Sequence, residues 1–297
     1  MTATVQQQAT ARRRNADPTR PLTTAAAVMG WITLVLLLDS DSGIWTQRTL
    51  GMLTWLLLAG LLSRENPLVR AQTAVVVVFA AAVEYTFSPL LDVYTYRFHN
   101  VPAYVPPGHG LVYLAALMIG RSTVVAAYRR LCVAVALVAL GAYSAYGVIL
   151  ADRLDALGAV WFGCYVAFVL WGPSPGLYVG AALVVTYLEV LGTSLGTWVW
   201  QLHDPTGLVA IGNPPSGAAG GYGWFDLAAL VGAPAVLRGW RRLAIVSGQA
   251  GSLSHSGAGN VRLSGGQGPP GQQDRERQSG RSGSSGSSGS SAAPAGE

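Results

Sequence analysis

The sequence contains no lysine, only two cysteines and few charges of either sign. Its nineteen basic residues are all Arg, and Asp, Glu, Lys and Arg together make up 11% of the chain, against roughly 25% in ordinary soluble domains. Cys132 and Cys164 stand inside apolar runs without a CxxC partner, which excludes a disulfide framework and a thiolate metal site. The net charge of +5 is carried by Arg at the ends of apolar runs and in the tail. Orientation in a membrane explains that placement better than nucleic-acid binding, which is excluded as a role.

What is abundant is hydrocarbon. Just over half of the residues, 51%, are hydrophobic, and runs of span length recur at about 21–38, 45–63, 68–91, 108–127, 130–150, 156–172, 175–195 and 219–237. Each can cross a hydrocarbon core of about 30 Å. The expected fold is therefore an all-α polytopic transmembrane bundle of about eight spans, a multi-pass protein of the cell inner membrane. No small-residue cleavage site follows the first run, so it is read as a retained span. Arg12, Arg13, Arg14 and Arg20, then Arg64 and Arg70, then Arg121, Arg129 and Arg130, then Arg238, Arg241 and Arg242 all fall on one side. The positive-inside rule makes that side, and both termini, cytoplasmic.

The sequence divides into a cytoplasmic segment 1–20, two four-helix units at 21–127 and 128–246, and a Gly- and Ser-rich tail at 247–297 whose composition predicts disorder. The two units read as copies. The third run ends EYTFSPLLDVYTYRFHN and the seventh ends EVLGTSLGTWVWQLHD, so Glu84, Tyr94, Tyr96 and His99 match Glu189, Trp198, Trp200 and His203. Each outer loop then passes through Pro-Pro, at 106–107 and 214–215. The next helices open GHGLVYLAAL from Gly108 and GYGWFDLAAL from Gly221. Four spans between equivalent points give parallel repeats about an axis along the membrane normal.

A carboxylate among apolar residues is costly unless paired, hydrated or protonated. Glu84 and Glu189 are therefore the candidate acid and base, with Asp226 and His109 as further catalytic candidates. Asp226 matches Tyr113 in the first copy, a divergence that points to an asymmetric site. Tyr94, Tyr96, His99, Trp198, Trp200, His203 and Tyr222 are candidate substrate-binding residues. Aromatic pairs can line a groove for an apolar chain and stabilise positive charge. Glu84, His99 and His109 are metal-ligand types, but no ligand spacing accompanies them, and the sequence names no cofactor or oligomeric state.

Residues 188–200, with Glu189, Gly192, Thr193, Gly196, Trp198 and Trp200, resemble the Glu-x-x-Gly-Thr-x-x-Gly motif and aromatic pair of the carotenoid 1,2-hydratase family. The resemblance covers one motif, lacks that family's Phe-Gly-x-Tyr element and leaves Pro-Pro-Gly-His-Gly without a counterpart. It implies a long polyene substrate and addition of water to an end-group double bond. The expected function is intramembrane chemistry on a lipid or isoprenoid from an outer-facing cavity, with membrane lipids as partners. A proton-coupled or small-molecule transporter and a non-catalytic assembly protein are the alternatives.

Overall fold

In the computed structural model, the described residues are 19–256, and side chains are described up to Trp240 and at Arg242. The predicted cytoplasmic N-terminal segment, apart from its last two residues, and the tail beyond Ser256 lie outside them. The chain divides into units at 1–247 and 248–297.

The first unit is mostly α-helical. Its helices are α1 Arg20–Ser40, α2 Ile44–Leu62, α3 Pro67–Tyr85, α4 Val105–Gly120, α5 Thr123–Ala127, α6 Arg129–Ile149, α7 Ala156–Trp171, α8 Pro175–Ser194 and the start of α9 Ala218–Ser256. Four segments, Arg20–Ser40, Pro67–Leu90, Arg129–Ile149 and Pro175–Ser194, are long and apolar enough to cross a membrane. Val105–Gly120 and Ala156–Trp171 are apolar but shorter. Large apolar side chains such as Trp45, Leu56, Val78 and Val138 are exposed, while Asp39, Glu84, Glu189 and Asp226 are buried. That distribution suits hydrocarbon as the surrounding solvent, and we read the chain as an integral membrane protein.

Every predicted run coincides with a helix, with differences at the third, fourth and last runs; α9 continues past 237 to Ser256 and so enters the segment whose composition predicts disorder. The fourth run is broken at Arg121 and Ser122 into α4 and α5, where the Ser122 hydroxyl accepts from the Val125 N–H and starts a new helix. α4 also begins three residues earlier than expected. Pro106 and Pro107 occupy its first turn, where a missing N–H costs nothing, whereas Pro214 and Pro215 precede α9. The third run ends in a π-helical turn, Thr86–Leu90, containing Pro89.

The closest packing joins α4 to α8. A Cβ at Gly180 would lie 2.2 Å from the Ala116 carbonyl oxygen, and one at Gly120 would lie 2.5 Å from Gly176 backbone. Small residues at such a seam let helix backbones meet where no hydrophobic effect drives them together.

The two long loops contain short strands that pair, β1 Tyr94–Tyr96 and β2 Trp198–Trp200. They form an antiparallel ribbon with Tyr94 opposite Trp200 and Tyr96 opposite Trp198. Side chains alternate along a strand, so the four aromatic residues are buried together while Val199 is exposed. Gly196, at φ +66°, turns the chain out of α8 into β2 through a left-handed conformation that a Cβ would oppose.

Buried ions anchor both loops. Asp39 accepts from Gln47 Nε2 at 3.0 Å and Tyr104 Oη at 2.8 Å, with Arg97 at 4.0 Å. Asp155 accepts from the backbone N–H groups of Gly158 and Gly212, both at 2.9 Å, and of Ser216 at 2.6 Å. Arg153 donates to the carbonyls of Ile211 at 2.6 Å and Trp200 at 2.8 Å, and to that of Gln201.

Candidate functional site

A cavity of about 650 Å³ lies beneath the ribbon. Its walls are largely apolar, and α1 contributes Trp31, Ile32, Val35 and Leu36 to them. Phe79, Phe87, Leu91 and Trp224 line it and are also exposed on the outer surface of the bundle, so the cavity reaches the apolar face that a bilayer would cover.

Two carboxylates enter this space from different helices. Glu84, near the end of α3, accepts from Tyr94 Oη and Tyr96 Oη, each at 2.8 Å on Oε2. Its Oε1 lies 2.7 Å from His109 Nε2. Glu189, on α8, accepts from Trp198 Nε1 and Trp200 Nε1, each at 3.2 Å on Oε2, and from Tyr222 Oη at a long 3.4 Å on Oε1. Each carboxylate thus meets two aromatic donors from one strand of the ribbon and one ring from the helix that follows. Hydrogen bonds of this kind to a charged acceptor contribute roughly 1.5–3 kcal/mol each, which helps offset removal of the carboxylates from water.

His109 and Tyr222 occupy matching places in the GHG and GYG openings of α4 and α9, and their rings stack at 5.1 Å. Phe225 meets both rings edge-on. Tyr94 and Trp200 lie 4.5 Å apart between centroids, and Trp161 reaches Trp200 from α7. The two carboxylate sets therefore share one aromatic enclosure.

Of the residues singled out from sequence, Glu84, Glu189, His109, Tyr94, Tyr96, Trp198, Trp200 and Tyr222 all line this cavity. His99 and His203 do not. Both are exposed, His99 in a left-handed turn at φ +55° and His203 bridged to Ala210 at the base of a loop. Glu84, His99 and His109 consequently form no ligand set, and among the described residues no three His, Cys, Asp or Glu side chains gather as a metal site. Asp226 is buried but does not line the cavity; it follows Tyr222 by one turn on α9.

Sequence reasoning missed Trp161, Tyr104 and the α1 residues. Trp161 sits in the uniformly apolar α7, whereas the α1 side chains lie on the face that ends in buried Asp39, a polar mark that could have picked them out. Tyr104 bonds Asp39, 65 positions away in the chain, and no local pattern records such a contact. No protein-family model, curated protein or solved structure matches this chain.

Proposed function

We propose that the chain is an intramembrane enzyme carrying out acid–base chemistry on a neutral, hydrocarbon-rich lipid or isoprenoid that enters from the bilayer. The observation that carries the reading is that Glu84 and Glu189, with His109 beside them, both face one cavity whose other walls, apart from Thr54 and the loop residue Asp204, are apolar and aromatic. Carboxylates are poor lining for passive lipid binding but suit proton transfer at a bound molecule.

The charge of the lining narrows the substrate. Among the described residues no Arg lines the cavity while Glu84, Glu189 and Asp204 do, so a phosphate or diphosphate headgroup would meet carboxylates without an Arg to balance it. A neutral molecule that gains positive charge as it is protonated is the better match, since aromatic faces and carboxylates stabilise such charge. In this reading the Glu84–His109 pair supplies the proton, and Glu189 receives one or activates water. Hydration of a terminal double bond, to which the resemblance at 188–200 points, is one reaction of this type.

We further propose eight spans arranged as two parallel four-helix repeats, with both termini cytoplasmic in the cell inner membrane. Support comes from the ribbon, whose antiparallel register pairs corresponding strands, the arrangement expected of equivalent segments around a two-fold axis. The Glu84 and Glu189 bonding sets also correspond position by position.

The test is to extract the lipids bound to protein purified from its own membranes and return the fraction to wild type and Glu84→Gln protein in D2O. The expected result is a phosphate-free long-chain compound that takes up deuterium at carbon with wild type only. The irregular Thr86–Leu90 turn, which carries cavity-lining Phe87, favours a second reading, a proton-coupled carrier, which predicts passage of the compound without deuterium at carbon.

A further inference from the structure

Below the stacked rings of His109 and Tyr222 lies a second set of buried polar groups. Tyr113 Oη, Tyr178 Oη and Asp226 Oδ2 have no hydrogen-bond partner among the described residues, and their residues are 1%, 0% and 5% exposed. None of them lines the cavity. Tyr113 follows His109 by four positions on α4, and Asp226 follows Tyr222 by four on α9, one turn or about 6 Å along each axis. Side chains four apart share a helix face, so the helices that bring His109 against Tyr222 also direct Tyr113 and Asp226 into one interface.

α8 supplies the third member. Tyr178 stacks on Phe168 at 5.5 Å, Phe168 meets Trp224 at 5.2 Å, and a Cβ at Gly223 would lie 2.3 Å from the Phe168 ring. Tyr178 is thereby held near the part of α9 that carries Asp226. Asp226 lies close to both phenols, and Arg121, just past the end of α4, lies close to Tyr113.

An unpaired buried hydroxyl is destabilising, and an unpaired carboxylate oxygen more so. Three such atoms on neighbouring helix faces call for buried water, which needs two to four polar partners of this kind. We propose that Asp226, Tyr113 and Tyr178 hold buried water and form a proton-storing site one turn beneath the acid–base pair. His109 Nδ1, also buried and unpartnered, is the atom through which the two levels exchange a proton. A proton leaving the Glu84–His109 pair is replaced from Asp226 through this water. Asp226 regains one from the aqueous phase past Tyr178, which lies in the first turn of α8. The supply role rests on the acid–base reading above; the hydration does not.

Hydroxyl-radical footprinting of the purified protein tests hydration without any activity. Radicals formed from bound water should label Tyr113 and Tyr178 despite their burial, and Asp226→Leu should abolish both labels. Should that variant fail to fold, Tyr113→Phe, which keeps the shape, should reduce labelling at Tyr178. Unlabelled tyrosines in the wild type would mean a dry site and overturn the proposal. The supply role is read by deuterium uptake into the extracted compound across pH. Asp226→Asn should slow it about a hundredfold, the low end of losses from removing a proton-transfer group, and should alter its pH profile, with Asp226→Glu restoring both. An unchanged rate and profile in Asp226→Asn would overturn the supply role. Absence of uptake in the wild type would instead overturn the acid–base reading and leave the footprint standing.

Discussion

His109 and Tyr222 lie face to face, ring centroids 5.1 Å apart and planes 24° apart, and each reaches back to a different glutamate, His109 to Glu84 and Tyr222 to Glu189. The stack links the two carboxylates without a direct contact between them. A perturbation on one side therefore has a physical route to the other.

Replacement of the carboxylates separates chemistry from structure. Glu84→Gln and Glu189→Gln keep size and most hydrogen bonding but cannot exchange a proton. Each should reduce deuterium uptake at least a hundredfold, in line with the roughly 10²–10⁴-fold contributed by a general acid or base, while the melting temperature in detergent stays near wild type. Glu84→Ala and Glu189→Ala should lower it clearly, because the two aromatic donors on each carboxylate lose their acceptor. Full uptake in both Gln variants would make the glutamates structural.

Tyr94→Phe removes one of the two phenol bonds to Glu84 and leaves the ring in place. The expected loss is about 1.5–3 kcal/mol in stability, with activity reduced far less than in Glu84→Gln. Unfolding followed by tryptophan fluorescence measures the first quantity and deuterium uptake the second.

Gly192→Ala should be far more damaging than its size implies. The added Cβ would fall 1.9 Å from the Trp198 ring, forcing the indole away from Glu189. Overpacking of this kind costs about 1–3 kcal/mol. Loss of uptake together with a lower melting temperature is the expected pair of results, and an unaffected variant would mean that Trp198 has room to shift.

The outer loop carrying Asp204 should respond to acid. The Thr206 hydroxyl first, then the Val209 N–H, hold the Asp204 carboxyl below its usual range. Stability gained from a lowered carboxylate is present above its ordinary pKa of about 3.9 and is lost as pH falls through the folded value. Leu208 is 86% exposed in this loop, so pepsin nicking there should increase at the acid end of its range. Asp204→Asn should be nicked at every pH tested; identical cleavage of variant and wild type would show that the carboxylate does not hold the loop.

The orientation is tested by single cysteines in a protein whose Cys132 and Cys164 are replaced by Ala. A probe at Leu208 should be labelled by an impermeant reagent in intact cells, and one at Ser247 only after lysis. The reverse pattern would invert the assignment of both termini to the cytoplasm.

The helices were legible because long apolar runs leave few alternatives, and their ends carried Pro, Asn or Ser. Asn66, for example, caps α3 through the N–H groups of Leu68 and Val69. The two glutamates were legible because a carboxylate within hydrocarbon is rare enough to mark itself. The ribbon was not, since three residues are too few for a strand signal and its partner lies a hundred positions away. Asp226 was misplaced for a related reason. Its correspondence with Tyr113 was visible in the sequence, but that Phe225 lines the cavity against His109 and Tyr222 while Tyr113 and Asp226 do not is a matter of contacts between helices that no local pattern records.

The ribbon register has a consequence for chain length. Because Tyr94 pairs with Trp200 and Tyr96 with Trp198, inserting or deleting one residue in either strand would turn its aromatic pair outward and bring Thr95 or Val199 inward. The glutamate served by that strand would lose both aromatic donors in a single step. Insertions and deletions should therefore be excluded from 94–96 and 198–200 in functional variants of this chain.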